Sequence, residues 1–258
     1  MSKLTVFYID KTGTSKKTLT MKISSILKDF DFKNFFKKAA GYTLTFHIIF
    51  ITFIAAAALL YIFVDPPFTT LQAYRFVFNG YSSKKHYDIP IKSISRKYQR
   101  LVVSTEDPNF YRHYGIDTGA IATAIQVNMK YGKKLSGAST ITQQLTRTLF
   151  LFPDKLYIRK YLETIAAITI DAIMPKTRIL ELYFNYAEWG RGIYGIQSAS
   201  YYYYGTPLQR ISEDQAIRLI TLLPSPCKYS PETFEKRKRL NKRYNSLNDR
   251  LSAMHSAK

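Results

Sequence analysis

The stretch EDPNFYRHYGID, residues 106–117, constrains the fold more than any other part of the chain. It places two adjacent carboxylates, Glu106 and Asp107, directly after a segment whose apolar residues fall on one face of a helix. A carboxylate at the end of an apolar helix, just before an aromatic turn, suits a general base that must take a proton near neutral pH. We therefore expect Glu106 to lie in a cleft with few cations around its carboxylate.

Helical spacing also dominates the sequence on the carboxyl side of this stretch. Apolar residues recur three and four positions apart, whereas alternating apolar and polar runs are scarce. The pattern therefore predicts a mainly α domain without internal repeats. The predicted helical segments include residues 142–150, 157–173, 176–188 and 212–223. The basic tail that follows is a further helix candidate, interpreted as a solvated or membrane-surface face.

An apolar segment, YTLTFHIIFITFIAAAALLYIFV at residues 42–64, contains no charged side chain when its histidine is neutral. As a helix rising ~1.5 Å per residue, it extends roughly 34 Å and can cross a bilayer. Its length and its position well inside the chain argue against a cleaved signal peptide. Lysines are denser before the segment than after it, so the positive-inside rule predicts a cytoplasmic amino terminus.

The sequence thus divides into five predicted regions. They are a cytoplasmic basic tail (1–41), a transmembrane helix (42–64), a juxtamembrane connection (65–90), the main domain (91–233) and a basic C-terminal helix (234–258). This organisation predicts a single-pass protein of the cytoplasmic (inner) membrane. Its main domain is expected in the periplasm or outside the cell.

The chain of 258 residues carries a strong excess of positive charge. Its 38 lysines and arginines exceed its 18 aspartates and glutamates, giving a formal net charge of +20. Such an excess requires a polyanionic partner, and nucleic acid, anionic lipid and a phosphorylated substrate all qualify. Nucleic acid is not expected, because the basic residues outside the tail are spread through helical segments and the span places them outside the cytoplasm.

A loop that runs into a helix is predicted at residues 137–144, GASTITQQ. Thr140 and Gln143 stand at capping-box spacing, which marks a helix start. Free backbone N–H groups at such a start can bind an anion or a sugar. A capped helix alone would explain Thr140 and Gln143, but Gln143 and Gln144 also place two amides on the first turn without a core role.

Arg159 and Glu163 are four residues apart on a predicted helix. Taken alone, this spacing indicates an exposed salt bridge worth ~0.3–0.5 kcal/mol. The pair gains weight from its place in a longer pattern, because other motifs occur in order along the same chain.

Four segments in order resemble the family 51 glycosyltransferases of bacterial cell-wall synthesis, of the monofunctional membrane-anchored kind. The first is residues 106–117, with Glu-Asp, a phenylalanine three residues later and a His-x-Gly-x-Asp pattern. The others are GASTITQQ, the Arg-Lys-x-x-Glu pattern at 159–163, and KTRILELYFN at 176–185 followed by Gly190-Arg191-Gly192. The resemblance implies a helical, lysozyme-like glycosyltransferase domain with a smaller membrane-facing lobe.

The resemblance also implies a reaction and its residues. A peptidoglycan glycan-strand polymerase transfers the growing lipid-linked glycan onto the 4-hydroxyl of lipid II, with inversion and release of polyprenyl pyrophosphate. Glu106 is implied as the catalytic base and Glu163 as a second essential acid beside the donor pyrophosphate. Asp107 and His113 are interpreted chiefly as structural. The implied substrate-binding residues are Asp107, Phe110, Gly137, Ser139, Thr140, Gln143, Gln144, Arg147, Lys155, Arg159, Lys160 and Asn185.

Departures from the family pattern affect the expected leaving-group contact. Arg147 stands where the family generally has lysine, and Thr148 where it generally has asparagine. Arginine keeps the charge but favours bidentate contact with phosphate. By analogy, a Mg²⁺ ion is a plausible bridge between the pyrophosphate and Glu163, although the sequence contains no metal-ligand cluster. The implied partners are lipid II, polyprenyl-pyrophosphate-linked glycan, membrane lipids and other cell-wall synthesis proteins.

Two other functions remain open from the sequence. A lysozyme-like lobe with a catalytic glutamate can also cleave glycan strands, although the membrane anchor and the basic motif residues favour a lipid pyrophosphate donor. A membrane-tethered scaffold with an inactive site is the non-enzymatic alternative, and the intact Glu106 and Glu163 count against it. A transpeptidase is not expected, because Lys-Thr-Gly at 11–13 precedes the span and few residues follow Lys228.

Overall fold

The computed structural model describes residues 3–9, 16–22, 31–133, 137–153 and 156–256. The chain divides into two compact units, Met1–Phe50 and Ile51–Lys258.

The first unit contains a β-hairpin and the start of a long helix. Strands β1 (Lys3–Ile9) and β2 (Lys16–Lys22) pair antiparallel, with Lys3 opposite Lys22. Threonine, valine, tyrosine and isoleucine in these segments favour extended backbone. This hairpin was not predicted, because the composition of residues 1–41 indicated only a polar, basic tail.

Helix α1 (Phe32–Phe63) contains the predicted membrane span except for its last residue. Its start is capped by Asp31, whose Oδ1 accepts a hydrogen bond from Asn34 N at 3.0 Å. It is long and apolar enough to cross a membrane, and 11% of its most apolar 18-residue window is buried. Such low burial distinguishes α1 from the core helix of a soluble protein, which hides most of its apolar surface.

The second unit is mainly helical, as predicted. Its helices are α2 (Thr70–Asn79), α3 (Arg96–Glu106), α4 (Thr118–Tyr131), α5 (Ile141–Phe150), α6 (Tyr157–Ile173), α7 (Lys176–Tyr186), α8 (Ile196–Tyr204), α9 (Glu213–Leu222) and α10 (Lys238–Ser256). Short 3₁₀ turns lie at Ile91–Ser93, Leu208–Arg210 and Phe234–Lys236, and strands β3 (Glu188–Gly190) and β4 (Ile193–Tyr194) form an antiparallel pair.

The core of this unit is built around α5, which packs against both α6 and α7. Leu145 of α5, Ile170 of α6 and Phe184 of α7 are almost completely buried. Burying side chains of this size stabilises the fold by about 1.5–3 kcal/mol each. This packing fixes the three helices that carry half of the predicted site residues.

Gly115 lets the turn after α3 approach α6 closely. Its φ is +79°, and a Cβ built on it would lie 2.5 Å from the carbonyl oxygen of Ala167. No other residue type fits both the positive φ and that contact without strain. The turn thereby brings the end of α3 towards the start of α5, since Thr140 Oγ1 donates to Gly115 O at 2.6 Å.

Helix α10 packs against α3 and α9. Leu240, Leu247 and Leu251 form its buried face. The sequence-based interpretation of this tail as a solvated or membrane-surface face is therefore wrong for one side of the helix. The helical period of these leucines predicts the buried face, but the many basic residues around them favoured the interpretation as a solvated helix.

Candidate active site

Glu106 is the last residue of α3, and two side chains hold its carboxylate. Gln144 Nε2 donates to Oε2 at 3.2 Å, and Arg243 Nη2 lies 2.5 Å from Oε1. The Glu106 side chain keeps 12% of its surface exposed. The carboxylate is thus oriented by one neutral donor and one cation while remaining partly open to solvent.

The expectation of few cations around Glu106 is wrong. Arg243 lies 137 residues further along the chain, on α10, and forms an ion pair with the candidate base. No local sequence pattern indicates a contact between residues so far apart. It arises because α10 folds back against α3.

Tyr183 of α7 sets the orientation of the Gln144 amide. Its hydroxyl donates to Gln144 Oε1 at 3.1 Å, so the amide NH₂ group faces Glu106. Burial, reinforced by the negative charge of Glu106, raises the pKa of Tyr183 well above its usual value. Tyr183 therefore remains a neutral hydroxyl donor throughout the ordinary pH range.

Asp107 and His113 join the end of α3 to the start of α5. Asp107 is 3% exposed, and its Oδ2 accepts a hydrogen bond from the backbone N–H of Ile141 at 2.9 Å. His113 Nε2 lies 2.9 and 3.0 Å from the two Asp107 oxygens. These partners place Asp107 in a structural role inside the fold, so its assignment to the substrate-binding set is corrected.

The position of Phe110 also contradicts the prediction that its side chain contacts the substrate. Its side chain is 0% exposed, and its ring packs edge-on against Tyr111 with 4.9 Å between ring centroids. The ammonium of Lys176 lies 4.6 Å from the centroid of the Phe110 ring. A motif match identifies such a residue but does not distinguish a core side chain from one that faces a cleft.

Thr140, Gln143 and Asn185 are buried and bonded within the protein. Thr140 and Gln143 form the predicted capping box at the start of α5. Asn185 bridges the backbone of Ile89, accepting from its N–H and donating to its carbonyl oxygen at 3.1 Å each. Their side chains support the site from within the fold. This burial contradicts the prediction that the three side chains contact the substrate directly.

Glu163 of α6 is completely buried and carries two cationic partners. Arg159 Nη1 donates to one oxygen, and Lys160 Nζ lies 2.6 Å from the other. Lys160 also donates to Ser139 Oγ at 3.0 Å. The cluster therefore differs from the exposed salt bridge that the spacing alone would indicate, because Glu163 is fully buried. Burial strengthens the attraction of its carboxylate to both cations.

A cleft of about 820 Å³ contains this cluster. Six of the predicted residues line it: Ser139, Gln144, Arg147, Arg159, Lys160 and Glu163. Tyr183 also lines it, so the hydrogen bonds from Tyr183 through Gln144 to Glu106 connect the candidate base to the cleft. Gly137 is exposed, with no atom within 4 Å of a Cβ built on it, and Lys155 lies outside the described residues.

A transglycosylase family model matches residues 74–252, which include Glu106, Glu163 and Arg243. The chain belongs to this transglycosylase family. The match extends through most of α10, so the helix that pairs with Glu106 lies inside the family region.

Several relatives of this transglycosylase are named biosynthetic peptidoglycan transglycosylase. The protein of Herminiimonas arsenicoxydans is 43% identical over 148 residues, covering 57% of this chain and 64% of the relative. That of Azoarcus sp. (strain BH72) is 42% identical over 145 residues, covering 56% and 63%. That of Thiobacillus denitrificans is 40% identical over 164 residues, covering 62% and 71%. The chain thus spans a little under two thirds of the first two relatives.

The transglycosylase cleft also contains residues that sequence reasoning missed. Arg75 of α2 and Glu188 of β3 line it as an ion pair at 2.9 Å, and the 223–228 loop completes the lining. Burial, with the nearby charge of Glu188, raises the pKa of Cys227 in this loop to about 12. Cys227 is therefore a neutral thiol at physiological pH.

The side chains at Glu163 are a poor fit for a divalent cation. Both carboxylate oxygens are engaged by Arg159 and Lys160. Among the described residues, no group of three or more histidine, cysteine, aspartate or glutamate side chains is placed to hold a metal ion. Mg²⁺ generally binds through carboxylates that are free to coordinate it.

Proposed function

We propose that this transglycosylase is a peptidoglycan glycan-strand polymerase. It would transfer the growing lipid-linked glycan onto the 4-hydroxyl of lipid II with inversion, releasing polyprenyl pyrophosphate. One observation carries the proposal. The cleft that contains Glu163 and its two cations is also lined by Gln144, whose side chain donates a hydrogen bond to Glu106. A base and a cationic phosphate site are the two components that this reaction needs.

At the base, Glu106 takes the proton of the acceptor hydroxyl as its oxygen attacks the anomeric carbon. The new C–O bond forms on the face opposite the pyrophosphate, while the bond from that carbon to the pyrophosphate oxygen breaks. A single displacement of this kind converts an α-linked donor into a β-linked product. Gln144 holds the Glu106 carboxylate in place for the proton transfer.

At the leaving group, the cations that line the cleft stabilise the charge that develops on the pyrophosphate. Arg147 and Arg159 offer planar donor pairs that match phosphate oxygens, and Lys160 supplies a point charge. Glu163 orients Arg159 and Lys160, since each contacts one of its oxygens. The second acid thus acts through the two cations.

No step of this proposal requires Mg²⁺. Arg147, Arg159 and Lys160 line the cleft and would neutralise the negative charge of the pyrophosphate in place of a metal ion. Any dependence on divalent cations stays a prediction by analogy, and polymerisation assayed with EDTA and with added Mg²⁺ tests it.

The proposed location is the cytoplasmic membrane, crossed once by α1. The length and apolar composition of α1 support a single-pass protein. The lysine bias before the span supports a cytoplasmic amino terminus and a catalytic domain on the outer side, where lipid II is used. Protease added to intact spheroplasts should digest the domain after Asp65 and spare residues 1–41. The reverse pattern would contradict the proposed topology.

Incubating the purified protein with lipid II tests the proposed activity. Lengthening glycan polymer with β linkages is the expected result. Soluble fragments released from preformed cell wall would instead support the hydrolase alternative. No product from either substrate, with the protein folded, would support the scaffold alternative.

A further inference from the structure

The C-terminal helix α10 reaches the candidate base through one side chain. Arg243 Nη2 lies 2.5 Å from Glu106 Oε1, and the two side chains are 19% and 12% exposed. The Nε of Arg243 is buried without a hydrogen-bond partner in the described part of the chain. Within the described part of the chain, Glu106 is the ion-pair partner of this guanidinium.

Contacts made by residues that follow Arg243 help to fix α10 in this position. Arg250 Nη1 donates to the carbonyl oxygen of Ser104 at 2.8 Å, two residues before Glu106. The hydroxyl of Tyr244 donates to Asp214 at the start of α9. These anchors, with the buried leucines of the same helix, limit movement of Arg243 relative to α3.

We infer that Arg243 is a positioning residue for Glu106. The inference rests on the proposed function, since it assigns a role in that reaction. Arg243 and Gln144 each hold a different oxygen of the carboxylate, so together they fix the plane in which it accepts a proton.

Charged and titratable groups from several elements surround this carboxylate. Arg243 contacts Glu106 from α10, and Asp107 follows Glu106 in the chain. Tyr183 of α7 is close enough to be influenced by the charges of Glu106, Arg147 and Asp107. Tyr183 is neutral in the working range, and Asp107 is held by His113 and the backbone of Ile141. In the described part of the chain, Arg243 is therefore the cation in direct contact with Glu106, and its removal should disturb the position of the carboxylate.

Three variants of the full-length protein in detergent micelles test the inference. Arg243→Gln removes the charge, and Arg243→Lys restores it with a different geometry. Lys242→Gln is the matched control, because Lys242 is the exposed neighbour on the same helix. The readouts are kcat and KM for lipid II between about pH 5 and 9, together with thermal unfolding.

Arg243→Gln should lower kcat about tenfold or more across this pH range and change KM little. Arg243→Lys should recover part of kcat. Lys242→Gln should match the wild type. An unchanged kcat in Arg243→Gln would overturn the inference, as would an equal loss in Lys242→Gln.

Arg243→Gln could also fail to fold, and Arg243→Lys then decides the question. A folded Arg243→Lys protein with reduced kcat and near-wild-type KM supports positioning, whereas wild-type kcat contradicts it. If the wild type itself makes no polymer, the proposed function fails. Polymer from the wild type with no effect of Arg243 variants refutes the inference alone.

Discussion

The ammonium of Lys160 lies 2.6 Å from the completely buried carboxylate of Glu163. The same ammonium reaches Ser139 at 3.0 Å, so it ties α6 to the loop before α5. Arg159 contacts the other oxygen of Glu163. The formal charge of the three side chains is +1, which leaves the cluster attractive to a pyrophosphate in the cleft.

Replacing Glu163 with glutamine should weaken use of the lipid-linked donor. The amide cannot hold two cations, so KM for the donor should rise at least tenfold. The free energy of unfolding should fall by about 1–3 kcal/mol, because two neighbouring cations lose a buried partner. The acidic limb of the pH profile should stay in place, since it belongs to Glu106. An acidic limb that moves with Glu163→Gln would show that the two carboxylates are wrongly assigned.

Arg159→Ala should share the donor defect and be non-additive with Glu163→Gln. Both side chains act on one leaving group, so the double variant should lose about 1–3 kcal/mol less than the sum of the two single losses. Donor saturation curves for both single variants and the double variant measure this coupling. Fully additive losses would mean that Arg159 and Glu163 act independently.

Short-range features of the site follow from the sequence. The capping box of Thr140 and Gln143 forms as predicted, and Arg159 contacts Glu163 across one helical turn. Both depend on spacings of three or four residues, which a helix converts directly into contacts. The mainly α fold is predictable for the same reason.

Burial and long-range contacts do not follow from such spacing. Glu163 gains its importance from complete burial, and Phe110 loses its predicted role for the same reason. Arg243 meets Glu106 across 137 residues because the leucine face of α10 docks on α3 and α9. A pattern along the chain identifies the helices but does not determine which side chains from distant helices meet.

Arg147→Gln should reduce donor binding without affecting folding. The Arg147 side chain lines the cleft and has no ion-pair partner within the described ranges, so its removal breaks no internal salt bridge. KM for the donor should rise about tenfold, and Arg147→Lys should recover part of that loss because it keeps the charge. The effect should shrink at high ionic strength, since salt screens partly exposed charges.

Arg112→Gln is the matched control for Arg147→Gln, because Arg112 is an exposed arginine that does not line this cleft in the described structure. Steady-state kinetics at low and high salt measure both variants. An equal rise in KM for the two would indicate a general effect of net charge.

Tyr183→Phe should change how stability depends on alkaline pH. The pKa of Tyr183 is raised well above 10 in the folded protein, so its contribution to stability is present below pH 10 and is lost as pH rises further. Above pH 10 the wild type should therefore lose about 1.4 kcal/mol per pH unit more than the variant. Urea unfolding at pH 9, 10 and 11 measures the difference, and parallel curves would contradict the buried, neutral state of Tyr183.

Polymerisation by Glu106→Gln tests the central assignment most directly. Glutamine is nearly the same size and can still accept a hydrogen bond from Arg243, but it cannot take the acceptor proton. Asp249→Asn, at an exposed carboxylate on α10, controls for an acid-to-amide change. With lipid II as substrate and unfolding temperatures matched, Glu106→Gln should lose about 100-fold or more in turnover while Asp249→Asn keeps wild-type turnover. Retention of more than about a tenth of wild-type turnover by Glu106→Gln would contradict the assignment of Glu106 as the base.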